Sequence, residues 1–284
     1  MEQFDFFNLD IADFKTAEKT TNNTKFKPTS ENGTNGIYKA QVRFLPWYKN
    51  TKNSLINKWQ VWLTDIQSGT SKTVDCPTSV GKPSVLKDTY WKYKNSQNAH
   101  DQKFAEMFSR KQKFASLVQI IEDKHNPDNE GKIMIWEFGL KVHAKIMEQL
   151  APEFGDACNV YDLLNGKNFG VLVSKVGGYN NYDACKFLDT VTPISINGKK
   201  MTNNDGGLIK EYLESSPDLS KLEYQDWDQE TEDFVKKVIQ NCQNPSEKIE
   251  HIKSANQNQK AANTSVEAVS MQNLDLENDI FDNL

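Results

Sequence analysis

The chain has 284 residues, enough for about one or two domains, and its 37% hydrophobic and 26% charged residues suit a soluble core with polar extensions. No run reaches the ~18 apolar residues of a membrane span, and the start, Met1-Glu2-Gln3-Phe4-Asp5, is acidic where a secretory signal would be basic. Four widely spaced cysteines (Cys76, Cys158, Cys185, Cys242) argue against a disulfide scaffold, so a membrane or secreted protein is not expected.

Residues 1–24 mix apolar and acidic side chains (Phe4-Asp5-Phe6-Phe7, Leu9-Asp10-Ile11) and end in a polar hinge, Lys19 to Thr24. Five strand-like runs follow: Tyr38 to Leu45, Trp59 to Leu63, Phe114 to Ile121, Lys132 to Phe138 and Asn168 to Val176. Pro127-Asp128-Asn129-Glu130-Gly131 is a hairpin signal between the third and fourth. Val142, Ile146, Met147 and Leu150 recur at helical spacing between Lys141 and Leu150. Two further helices are expected over about Leu208–Ser215 and Gln229–Cys242, the second with Phe234, Val235, Val238 and Ile239 as its apolar face. The pattern predicts an α+β protein with a five-stranded, OB-like β-barrel core and flanking helices. Its expected organisation is an N-terminal arm (1–24), a core (25–242) and a disordered acidic C-terminal tail (243–284).

Charge is segregated along this plan. Residues 1–35 carry four Lys/Arg against six Asp/Glu, residues 36–200 carry 23 against 16, and residues 201–284 carry seven against 17. A basic middle beside an acidic end is what a protein meeting a polyanion shows; a solubilising tail on an ordinary core gives the same arithmetic.

Enzymatic signatures are missing. There is no phosphate-binding loop, H-E-x-x-H, C-x-x-C, G-x-S-x-G or G-x-G-x-x-G, and the four histidines lack metal-ligand spacing. The window from Lys82 to Lys113 gives a different signal, with eight basic residues against three acids and aromatic residues interleaved, as in Tyr90-Trp91-Lys92-Tyr93-Lys94. Cations neutralise phosphates and aromatic faces stack unpaired bases, which is what a single strand requires. The alternative is a strand with an apolar inner face and a solvated lysine face. A second candidate is Gly177-Gly178-Tyr179-Asn180-Asn181-Tyr182-Asp183, where two glycines permit a sharp turn and two tyrosines three apart face either a groove or the loop rim.

These pieces occur in an order that resembles the single-stranded DNA-binding proteins of T-even and related large tailed phages. The resemblance rests on Gln41-Val42-Arg43-Phe44-Leu45-Pro46, on Arg110-Lys111 with Phe114, on Pro127 to Lys132, on Gly178 to Asp183 with Lys186-Phe187, and on the Leu-Asp-Leu terminus. It implies an OB-fold that binds single strands without sequence preference and without catalysis in phage replication, recombination and repair. The place of action would be the host cytoplasm. The electropositive groove would be lined by Arg43, Lys82, Lys87, Lys92, Lys94, Arg110, Lys111 and Lys113, with Tyr90, Trp91, Tyr93, Phe114, Tyr179 and Tyr182 as stacking surfaces. The resemblance also implies cooperative self-association through the N-terminal arm. Replication and recombination proteins would be recruited by the tail through Leu274, Asp275, Leu276, Asp279, Ile280, Phe281, Asp282 and Leu284.

Two departures from the family pattern are visible. Its zinc is held by one His and three Cys, yet only Cys76 matches; Ser84 and Lys87 stand where the C-x-x-C pair would fall, so no cofactor is expected. Its arm is basic, whereas residues 1–14 hold four acids and no base. A reading from another class is a replisome adaptor whose OB-type domain docks a protein partner.

Overall fold

A computed structural model describes residues 24–243. Nine strands join in one sheet: β1 (Lys25–Phe26), β2 (Tyr38–Leu45), β3 (Leu55–Thr64), β4 (Ser71–Asp75), β5 (Arg110–Asp123), β6 (Ile133–Phe138), β7 (Lys167–Val176), β8 (Tyr179–Asn181) and β9 (Lys186–Val191). A two-stranded ribbon, β10 (Ser195–Ile196) with β11 (Lys199–Lys200), stands apart. Helices α1 (Val85–Lys94) and α2 (Ala99–Ala105) are inserted between β4 and β5, α3 (Leu140–Leu150) follows β6, and α4 (Gly206–Glu214) and α5 (Gln229–Gln243) close the described chain. The class is α+β.

Strand β5 organises the sheet. It pairs with β3 over 110–116, with β6 over 114–119 and with β2 over 117–123. Alternation along it divides the core: Phe114, Val118 and Ile120 enter one cluster with Phe44, Trp136 and Phe169, while Ala115 and Leu117 enter another with Leu45, Trp47 and Ile135. A strand flanked by core on both faces must be apolar at consecutive positions, and residues 114–120 are all buried. The connection to β6 turns through Pro127–Asn129, and Gly131, at φ 80°, donates its N–H to the Ile120 carbonyl at 2.8 Å.

Four of the five expected strands lie inside longer ones or coincide with them, and Ile133–Phe138 starts one residue after the expected Lys132. The region from Ser71 to Ala105 departs from expectation. The alternating Tyr90-Trp91-Lys92-Tyr93-Lys94 is the last half of a helix, in which Leu86, Thr89 and Tyr93 make the buried stripe and the Ser84 side chain caps the first turn. Strands β4, β8 and β9 lie outside the five expected runs; β4 and β8 are short and polar, and β9 fully buries only Phe187.

A third apolar cluster joins this inserted region to α5. Val235, Val238 and Cys242 pack with Leu63, Val74, Leu86, Tyr93 and Phe108. Its polar clamp is Asp65, whose side chain is fully buried and accepts hydrogen bonds from the Gln67 N–H (3.1 Å), Ser68 Oγ (2.6 Å) and Asn241 Nδ2 (2.6 Å). Lys237 Nζ completes the set at 2.9 Å.

Candidate nucleic-acid interface

Successive residues on a strand face opposite sides of the sheet, so Arg110 and Lys111 do not point together. Arg110 shares a face with Gln112 and Phe114, and across from them β3 presents Val61, Trp59 and Asn57. On that face planar groups form a ladder. The Arg110 guanidinium lies 4.8 Å from the Trp59 ring centroid. Gln112 Nε2 donates to Asn57 Oδ1 at 2.9 Å, and the His143 ring of α3 stacks on Phe114 at 3.8 Å with an interplanar angle of 11°. Burial holds the His143 pKa below the usual imidazole value, so the ring is neutral at pH 7.

The opposite face carries exposed Lys111 and Lys113, paired across the strands with Gln60 and Lys58. Asp75 engages both β3 side chains, Lys58 Nζ at 2.9 Å and Gln60 Nε2 at 2.7 Å. Two residues along β3 the Trp62 ring is 62% exposed, the kind of solvent-facing aromatic that a binding surface uses.

The remaining sequence candidates scatter. Lys92 and Lys94 are exposed on α1, and Lys87 is half-buried there. Tyr90 and Trp91 are half-buried and meet edge-on at 5.1 Å. Lys82 is exposed but paired with Asp226 at 2.6 Å. Tyr179 begins β8 after two glycines at φ 59° and 92°, and is half-buried. Tyr182 is half-buried too, donating its hydroxyl to the Pro28 carbonyl at 3.0 Å. Helix α3 touches both candidate regions, since its Lys141 pairs with Asp183 of the tyrosine loop at 2.8 Å.

Three expected groove residues are core residues instead. Arg43 is fully buried because the second half of β2 has core on both faces; its Nη2 donates to the carbonyls of Asp162 and Thr192, both at 2.8 Å, and its Nη1 to Asn168 Oδ1 at 3.3 Å. A side chain at Gly166 would meet that guanidinium, its Cβ only 2.7 Å from Nη2, so glycine is required there. Tyr93 is 6% exposed and stacks on Phe108. Phe114 is 1% exposed, so it supports His143 rather than offering its own face. The tail residues Leu274 to Leu284 and residues 1–23 of the arm lie outside the described residues. Trp59, Asn57, Gln112, His143 and Trp62 escaped the sequence reading. One signal was present: Trp59 and Trp62 have opposite parity on one strand, so they cannot share one buried face.

The donor set does not fit the zinc that the resemblance implies. Cys76 is buried, its Sγ accepts a hydrogen bond from Thr78 Oγ1 at 3.2 Å and shares another with Ser84 Oγ at 3.2 Å. Hydroxyls and an ammonium do not complete a zinc shell around one thiolate, and among the described residues no three His, Cys, Asp or Glu side chains cluster for a metal. Elemental analysis of purified protein is expected to find no stoichiometric zinc, with the melting temperature unmoved by a chelator. One zinc per chain would show that other ligands have been recruited.

Residues 35–243 match the family described as gp32 DNA binding protein like. The chain belongs to this family. The single-stranded DNA-binding proteins of Enterobacteria phages T4 and T2 are each 29% identical to it over 214 residues, or 71% of this chain. The chain matches 64% of the length of these curated relatives. Among the described residues of this family member no helix is long and apolar enough to cross a membrane.

Proposed function

We propose that this protein binds single-stranded DNA without sequence preference and without catalysis, coating and protecting unwound strands in the host cell during phage replication, recombination and repair. The observation that carries the reading is the ladder of Trp59, Arg110 and Gln112 on one face of β3 and β5, continued by His143 of α3 stacked on Phe114, with Lys111 and Lys113 exposed on the opposite face. Planar groups accept unpaired bases of any identity and cations meet the backbone, which is a sequence-tolerant combination. The names of the phage T4 and T2 relatives support it. The sheet curled around the cluster of Phe44, Trp136 and Phe169 is read as an OB-type barrel. Lys92 and Lys94 on α1 extend the basic surface, and Tyr179 and Tyr182 are its second stacking region.

Residues 1–24 are assigned to self-association on DNA, and the acidic, apolar run Leu274 to Leu284 to the recruitment of replication and recombination proteins. Action on duplexes is thermodynamic, since preferential binding of unpaired strands draws the opening equilibrium by mass action.

The deciding experiment is a tryptophan-fluorescence titration with oligo-dT and with a matched duplex across salt. The single strand is expected to change the emission and bind far more tightly, with a log–log salt slope of about −2 for three phosphate contacts, at roughly −0.7 each. Equal affinity for the duplex, or a flat salt dependence, would overturn the reading.

A further inference from the structure

The segment that carries the unmatched zinc position is built around the Arg110–Trp59 pair. A single turn, Pro77–Val80, follows β4 and is closed by Gly81 at φ 70°. Its residues hold both partners. The Trp59 backbone is fixed on each side: its N–H donates to Ser79 Oγ at 2.8 Å, and its carbonyl accepts from the Cys76 N–H at 2.8 Å. The guanidinium is fixed by the neighbouring residue, because Arg110 Nη1 donates to Thr78 Oγ1 at 3.0 Å. The Thr78 hydroxyl has one proton, and it is directed to Cys76 Sγ at 3.2 Å, which leaves an oxygen lone pair for Arg110. Cys76 is in turn held by Ser84, the cap of α1. A chain of hydrogen bonds therefore runs from the start of α1 through Cys76 and Thr78 to the guanidinium over the indole.

We propose that Thr78 is a positioning residue for single-strand binding, and that with the hydroxyl–thiol node at Cys76 it sets the turn that holds Arg110 over Trp59. The inference rests on the proposed function, because it assigns the Arg110–Trp59 pair to the nucleic-acid surface. Its physical content is preorganisation. An arginine side chain loses several rotors on binding, and a partner that holds it beforehand removes that loss from the binding step.

Thr78→Val keeps the shape of the side chain and removes both the donor and the acceptor; Thr78→Ser keeps both. Full-length variants are compared by anisotropy with a labelled oligo-dT, well below their melting temperatures. Thr78→Val is expected to weaken binding about fivefold with the salt slope intact, since the charge stays. Thr78→Ser should bind as the native protein does. In an Arg110→Ala background Thr78→Val should cost nothing more. Native affinity in Thr78→Val, beside a loss in Arg110→Ala, would overturn the positioning role and leave the interface standing. A loss that persists in the Arg110→Ala background would mark Thr78 as a general structural residue and overturn it as well. If Arg110→Ala itself binds normally, the assignment of this surface fails and the proposal falls with it.

Discussion

Replacing Arg110 and Lys111 together with alanine is expected to lower single-strand affinity about 10- to 100-fold and to make the salt slope shallower by about 1.4, two contacts at roughly 0.7 each. The two single variants should differ, because the side chains leave β5 on opposite faces. Arg110→Ala removes the cation from the Trp59 ring, so it should also alter the tryptophan emission of the free protein. Lys111 is exposed and faces Gln60, so its loss should lower affinity and salt slope together while leaving the emission of the free protein unchanged. Anisotropy titrations at three or more salt concentrations measure both quantities. An unchanged slope in the double variant would remove these residues from the list of phosphate contacts.

The largest expected effect on stability is at Asp65. Asp65→Ala deletes a fully buried carboxylate that accepts from Gln67, Ser68, Asn241 and Lys237, and should cost about 2–4 kcal/mol in denaturant unfolding. The pH dependence follows with a definite sign. Burial alone would raise the Asp65 pKa, but the hydrogen bonds from Ser68, Lys237, Asn241 and the Gln67 N–H outweigh it and hold the value well below the ordinary 3.8. A carboxyl with a depressed folded pKa contributes stability that is fully present above its unfolded value and lost as pH falls through the folded one. The gap between native protein and Asp65→Ala should thus be constant from neutral pH down to about 4 and narrow below it. A gap independent of pH down to acid unfolding would mean that the carboxylate charge is not what holds α5.

Reading strands from sequence succeeded where a run is apolar on consecutive positions or alternates cleanly, as in Tyr38 to Leu45, which the structure reproduces at both ends. It failed at α1 because aromatic residues and lysines alternating over the four positions Trp91 to Lys94 imitate a period of two. The Ser84 cap and the first two residues of the helical stripe, Leu86 and Thr89, lie just upstream of that imitation, and Tyr93 completes the stripe inside it. The chemistry of the candidate interface is a matter of composition, basic and aromatic residues in one stretch. Which of them face solvent was not, because that depends on strand parity and on what covers each face. Phe114 has the parity of Val118 and Ile120 and goes to the core with them, whereas Lys111 and Lys113 share a face that stays open until Ala115. Arg43 sits where β2 is covered on both sides, so neither parity would have exposed it. His143 could not be assigned without the tertiary contact that lays its ring on Phe114.

The unequal flanking of β5 has a consequence for how the protein fluctuates. Residues 114–119 have β6 on one edge and β3 or β2 on the other, while among the described strands residues 110–113 pair with β3 alone. Local opening costs more where more neighbours must let go, so protection against amide hydrogen exchange should rise along this one strand from Arg110 toward Gln119. A single continuous element thereby joins a yielding end to a rigid one. Under the proposed function the yielding end is the one that meets the bases, and the rigid end anchors it to the core.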